Sequence, residues 1–204
     1  MTTRLTVIGR KMKNELISKS AERLKKLIKS QLKLSYSRND DKDSFSRQSF
    51  LNEYRIICLS MIRQSGVTTC ISELFDVNHD VYVASNFRQV ENFQELLFVQ
   101  NKLESNNKQI KIKYFILKPS NKYISKNAYN GLSKKIKDIF EYNSLEQTGD
   151  CNQTRGISIS KDAKIWFDLG NGISLQTMPK IIDFINIIDL YNCAGNSNTR
   201  YIIL

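Results

Sequence analysis

The chain has 204 residues, 41% of them hydrophobic and 25% charged, with a formal net charge of +11. That length and apolar content support one α/β domain with an appendage and leave too little for two full domains. No apolar run approaches the roughly 20 residues needed to cross a bilayer, and the opening MTTRLTVIGRKMK has no apolar core of secretory-signal length, so a soluble, cytoplasmic protein with no membrane span is expected.

In chain order, residues 11–34 place Met12, Leu16, Ile17, Leu24, Leu27, Ile28 and Leu32 at helical spacing with lysines between them, which predicts a basic amphipathic helix. Its apolar stripe either packs on the domain or leaves the helix as an arm for nucleic acid, a protein partner or a membrane surface. Residues 35–49, SYSRNDDKDSFSRQS, are polar and read as a linker. The expected organisation is therefore a basic helical arm and linker over 1–50 and an α/β domain over 51–204.

Beyond the linker the periods alternate. YRIICLSM predicts a buried strand, TTCISELF a short helix, DVYVAS a strand and NFRQVENFQELLFVQNKLES a long helix. KIKYFIL is a further strand, NAYNGLSKKIKDIFEY a basic helix, GISIS and KIWFD short strands, MPKIIDFINIIDLY a helix and RYIIL a final strand. Strands separated by helices imply an α/β fold: a mostly parallel sheet with helices on both faces, behind the N-terminal helix. Ligands of such sheets bind at the carboxyl ends of the strands.

One such end carries SMIRQSGVTT, Ser60 to Thr69, a glycine turn between a strand and a helix. A phosphate loop needs a glycine, four free positions and then Gly-Lys-Ser/Thr, so that backbone N–H groups surround the phosphates and the hydroxyl holds magnesium. Here Met61 takes the first glycine position, Gly66 the second, and Val67 the lysine position, while Thr68 and Thr69 keep the hydroxyls. The plainer alternative is an ordinary helix start capped by Thr68 or Thr69. A second element, an apolar strand ending in a magnesium-positioning acid, is supplied by KIWFD and its Asp168. Leu169 follows where a hydrolytic enzyme usually offers a glutamate to orient the attacking water. Arg63 is the candidate substitute for the missing cation, although its planar head needs a different geometry from lysine.

Across residues 48–105, RIICLSMIRQSGVTT and DVYVASNFRQVENF resemble the ATPase domain of the large terminase subunits, the DNA-packaging motors of tailed phages. The specific part is Arg63, Gln64, Gly66, Thr68 and Thr69. The resemblance implies ATP with Mg2+ as cofactors, held by Arg63, Gln64, Ser65, Gly66, Val67, Thr68 and Thr69. It implies Gln48 as an upstream adenine contact, Thr68 and Asp168 as magnesium ligands, and Asp168 and Arg63 as catalytic residues.

The charge points to a polyanionic partner. Residues 1–40 carry eleven Lys/Arg against three acids, and residues 108–138 carry nine lysines against Asp138 alone, a net +8 in each block. Candidate nucleic-acid contacts are Lys25, Lys26 and Lys29 in the first block and Lys111, Lys113, Lys134, Lys135 and Lys137 in the second. Tyr123, Tyr129 or Tyr142 would offer rings for stacking on bases. The expected function is a degenerate phosphate-loop protein of viral or phage type that binds nucleic acid, DNA rather than RNA, as an accessory module. One alternative is a working ATPase motor that uses Arg63 or a neighbouring copy's arginine in a homo-oligomer. Another is a structural assembly component associated with the virion. The lone His79 reads as a turn residue, and Cys58, Cys70, Cys151 and Cys193 lack metal or disulfide spacing.

Overall fold

The computed structural model describes residues 2–59, 66–103, 112–117, 140–142, 159–160, 162–169, 178–192 and 198–204. The strands are β1 Ile56–Cys58, β2 Val81–Ala84, β3 Lys113–Leu117, β4 Phe140–Tyr142, β5 Lys164–Asp168 and β6 Arg200–Ile203. They form one sheet in the order β1-β6-β5-β2-β3-β4. The first five are mutually parallel, and β4 closes the far edge antiparallel to β3. The helices are α1 Thr2–Ser37, α2 Arg47–Phe50, α3 Val67–Leu74, α4 Phe87–Val99 and α5 Met178–Asn192.

Helices cover both faces, which is why VYVA of β2 is buried along its whole length rather than on alternate residues. On one face Ile57, Tyr82, Ala84, Trp166 and Ile202 pack with Ile28 of α1, Ile71 of α3 and Phe93 of α4. On the other, Val83, Phe115, Ile165, Phe167 and Ile203 pack with Ile181, Phe184, Ile185 and Ile188, the i, i+3, i+4, i+7 stripe of α5.

Four departures from the sequence expectations have physical causes. From Ala21 onward α1 is part of the domain, because Ala21, Leu24, Ile28 and Leu32 share the core of α3 and the sheet. The polar stretch after it is ordered: α1 runs to Ser37, a 3-10 turn follows over Asn39–Ser44, and α2 begins after Ser46, whose hydroxyl accepts from the Ser49 N–H at 3.1 Å. Arg200 closes this corner, since its guanidinium donates to the Ser35 carbonyl at 3.1 Å and to Asn39 Oδ1 at 2.5 Å and lies 4.4 Å from the centroid of the Tyr36 ring. The third departure is at the end of the expected basic helix, where Phe140–Tyr142 is strand β4, paired in register with Phe115 to Leu117. The fourth lies in GISIS, whose described residues, Ile159 and Ser160, belong to no strand.

Candidate functional site

β2 and β5 are neighbours, yet α4 carries β2 outward to β3 on one face and α5 carries β5 the other way to β6 on the opposite face. Connections that diverge in this way open a crevice at the strands' carboxyl ends, the usual ligand position in an open α/β sheet. Asp168, the last residue of β5, stands at that crevice and is 2% exposed.

α3 begins at the same edge. Gly66 precedes it at φ 75°, ψ 26°, a left-handed conformation that costs a residue with a Cβ roughly 1–2 kcal/mol. The first helical bond runs from Cys70 N–H to the Gly66 carbonyl at 2.8 Å, so the N–H groups of Val67, Thr68 and Thr69 have no partner within the helix. Gly66, at the N-cap, has no side chain to cap them. By contrast, α4 is capped by Asn86, which accepts from Gln89 N–H at 3.0 Å.

The hydroxyl of Thr68 donates to Asp168 Oδ2 at 2.7 Å, across a hundred residues of sequence. The phenol of Tyr82 donates to the same oxygen at 2.9 Å. Gln89 secures the backbone behind them, donating to the Asp168 carbonyl at 2.8 Å and accepting from Ser85 N–H at 3.0 Å. The Ser85 hydroxyl completes the clamp with a 3.1 Å bond to the Leu169 carbonyl. Burial, and then the adjacent Asp168 charge, holds the Tyr82 phenol well above its usual range, so it is a permanent donor at neutral pH.

Two other buried aspartates give a comparison. Asp80 accepts from Lys164 Nζ at 3.1 Å and from Trp166 Nε1 at 2.9 Å. Asp189 meets Arg55 at 2.6 Å and Arg47 at 2.9 Å. Asp168 instead has two hydroxyl donors and, among the described residues, no Lys or Arg beside it. A buried carboxylate without a cation is costly, which makes this one a place where a cation is stabilising. Among the described residues no group of three or more His, Cys, Asp or Glu is arranged so that it could hold a metal ion. A cation here would rest on one carboxylate, a hydroxyl and ligand oxygens, a hard-oxygen set that suits Mg2+.

The structure thus brings together Gly66, Val67, Thr68, Thr69 and Asp168. Val67 packs partly buried against the α1–α3 core, and Leu169 is 5% exposed in the core of the other face. Gln48 is spent elsewhere: it donates to Asn52 and to Asn186 of α5 at 3.2 and 3.0 Å. Lys25 bridges Glu22 at 2.6 Å and Glu73 of α3 at 2.5 Å, so it ties α1 to α3, while Lys26 and Lys29 are exposed. Lys113 begins β3, at the end of the sheet opposite Asp168. Arg63, Gln64, Ser65, Lys111, Lys134, Lys135 and Lys137 lie outside the described residues, as do Tyr123 and Tyr129. His79 is in a turn, 2.9 Å from Asp76.

Tyr82, Ser85 and Gln89 were not singled out from sequence. Asn86 with a glutamine three residues on carries the spacing of a helix start, but that signal says nothing about Gln89 crossing to β5. Comparison of the chain with protein-family models, with curated proteins and with solved structures returned no match.

Proposed function

We propose that this chain is a degenerate phosphate-loop protein that binds a magnesium nucleotide without hydrolysing it and holds nucleic acid on the outer face of α1. The observation that carries the first part is the 2.7 Å bond between Thr68 and Asp168, because a hydroxyl at a helix start and an acid ending another parallel strand of the sheet are the protein's two magnesium contacts in such proteins. The first N–H groups of α3, which have no partner within the helix, and its positive dipole end would take phosphate oxygens. Bound Mg2+ would neutralise phosphate charge, with Thr68 and Asp168 as its protein partners. Val67 contributes no charge to a developing transition state and Leu169 cannot orient water, so holding the ligand is the reading that these residues favour. The resemblance to terminase ATPase domains supports the same assignment and suggests a phage-type DNA-handling role.

Calorimetric titration of ATP with Mg2+, with and without DNA, followed by a phosphate-release assay, tests this. Binding without release is expected, and Val67→Lys should tighten binding by about tenfold, the effect of roughly 1.4 kcal/mol from a charge-assisted contact. No binding in either condition would reduce the turn to a helix cap. Release would favour an active ATPase with a substitute cation.

The nucleic-acid part rests on the geometry of α1. Lys19, Arg23, Lys26, Lys29 and Lys33 fall within one arc of the helix, opposite Ala21, Leu24, Ile28 and Leu32, and all five are exposed. Phosphate contacts of this kind show as salt dependence. Replacing Lys26 and Lys29 together with alanine is expected to lower the slope of log affinity against log salt by about 2 on duplex DNA. Lys25→Ala should leave that slope unchanged, because Lys25 already serves Glu22 and Glu73.

A further inference from the structure

We propose that Tyr82 tunes the cation affinity of the Thr68–Asp168 pair by competing for the carboxylate's charge. The inference rests on reading that pair as a cation site and adds the residue that sets how tightly it binds.

Two hydroxyls converge on one carboxylate oxygen, but they are not equivalent. Thr68 starts a helix, and its hydroxyl oxygen has lone pairs to offer a metal while its proton stays on Asp168. Tyr82 has no such freedom. Its ring is wholly buried and stacked on Phe93 at 3.9 Å and 4°, and Phe93 is in turn held edge-on by Phe75 at 5.1 Å. The phenol is therefore a fixed donor, aimed at Asp168 from inside the core.

A hydrogen bond to an ionised carboxylate stabilises the charge that a cation would otherwise neutralise, so each fixed donor weakens cation binding at that oxygen. Among the described residues no Lys or Arg lies beside Asp168, and Tyr82 is there the partial substitute for a counter-ion. Ser85 leaves this balance alone, since its hydroxyl bonds the Leu169 carbonyl, and Gln89, whose side chain also meets the Tyr82 phenol, bonds the Asp168 carbonyl and not its carboxylate.

The test is Mn2+ binding to the full chain in the presence of a non-hydrolysable ATP analogue, followed by electron paramagnetic resonance with Mg2+ as competitor, in the wild type, Tyr82→Phe, Thr68→Val and Asp168→Asn. Tyr82→Phe keeps the ring stack and removes only the donor, and it is expected to bind Mn2+ about tenfold more tightly. Thr68→Val, which removes a ligand, should bind more weakly, and Asp168→Asn should not bind. Wild-type binding that Tyr82→Phe leaves unchanged or weakens overturns the role of Tyr82 and spares the cation site. Absence of Mn2+ binding in both the wild type and Tyr82→Phe overturns the role and the site together. A second measurement reads the wild type alone: adding Mg2+ to the nucleotide-loaded protein should produce a tyrosine difference-absorption signal, as the cation draws charge from the Tyr82 hydrogen bond. A wild type that binds Mn2+ yet gives no such signal also overturns the role of Tyr82.

Discussion

Asp189→Ala is expected to lower the free energy of unfolding by about 3–5 kcal/mol, the usual cost of breaking a buried ion pair by removing one partner. Asp189 is fully buried on α5, and its Oδ1 lies 2.6 Å from Arg55, whose side chain is 4% exposed. Nε and Nη2 of Arg47 both donate to Oδ2 at 2.9 Å. Without Asp189, Arg47 is half-exposed and recovers water. Arg55 is nearly buried and loses its carboxylate partner; neither its 2.9 Å bond to the Thr199 carbonyl nor its position 5.8 Å from the Tyr201 ring centroid supplies a negative charge in its place. The loss comes from that stranded guanidinium. Of the small domain's typical total of about 5–15 kcal/mol, such a change removes a large share. Urea denaturation checks it: the midpoint should fall with the slope unchanged. Arg47→Ala, on the exposed side of the same carboxylate, should cost far less.

Ile28→Ala is expected to cost about 2–5 kcal/mol, because it deletes a fully buried side chain at the centre of the α1 contact and leaves a cavity between α1, α3 and the sheet. The measurement distinguishes two roles for α1. A helix that merely carries charge would lose little on truncation of one apolar residue, and the global unfolding midpoint would not move. With Leu24 and Leu32 buried one turn either side and Lys25 bridged to Glu73, a full-sized loss is the expected result. Lys26→Ala on the opposite face should be neutral for stability, so the binding and packing faces of α1 can be changed independently.

Much of the architecture was legible because it depends on local periodicity. KIWFD alternates Ile165 and Phe167 against Trp166 and Asp168, and the two sets do line opposite faces of the sheet. MPKIIDFINIIDLY repeats its apolar residues every three or four positions and forms α5. The polar composition of residues 35–49 fits a linker, yet Arg200, 161 positions beyond Asn39, supplies a donor that orders it. Phe140–Tyr142 misled because its pairing partner is β3, and short aromatic runs fit a helix or a strand equally well until a partner is present.

By itself, the sequence determined the alternation of strands and helices, the glycine turn before α3, and an acid at the end of an apolar strand, because each depends on residues within a few positions of one another. The tertiary structure alone decided that β6 lies between β1 and β5, that Thr68 and Asp168 meet, and that Tyr82 and Gln89 join them. It also decided that Lys25 is a bridge to α3 and that Gln48 faces α5. These contacts follow from the direction of each crossover and the face each helix covers, and no window of local sequence contains both partners.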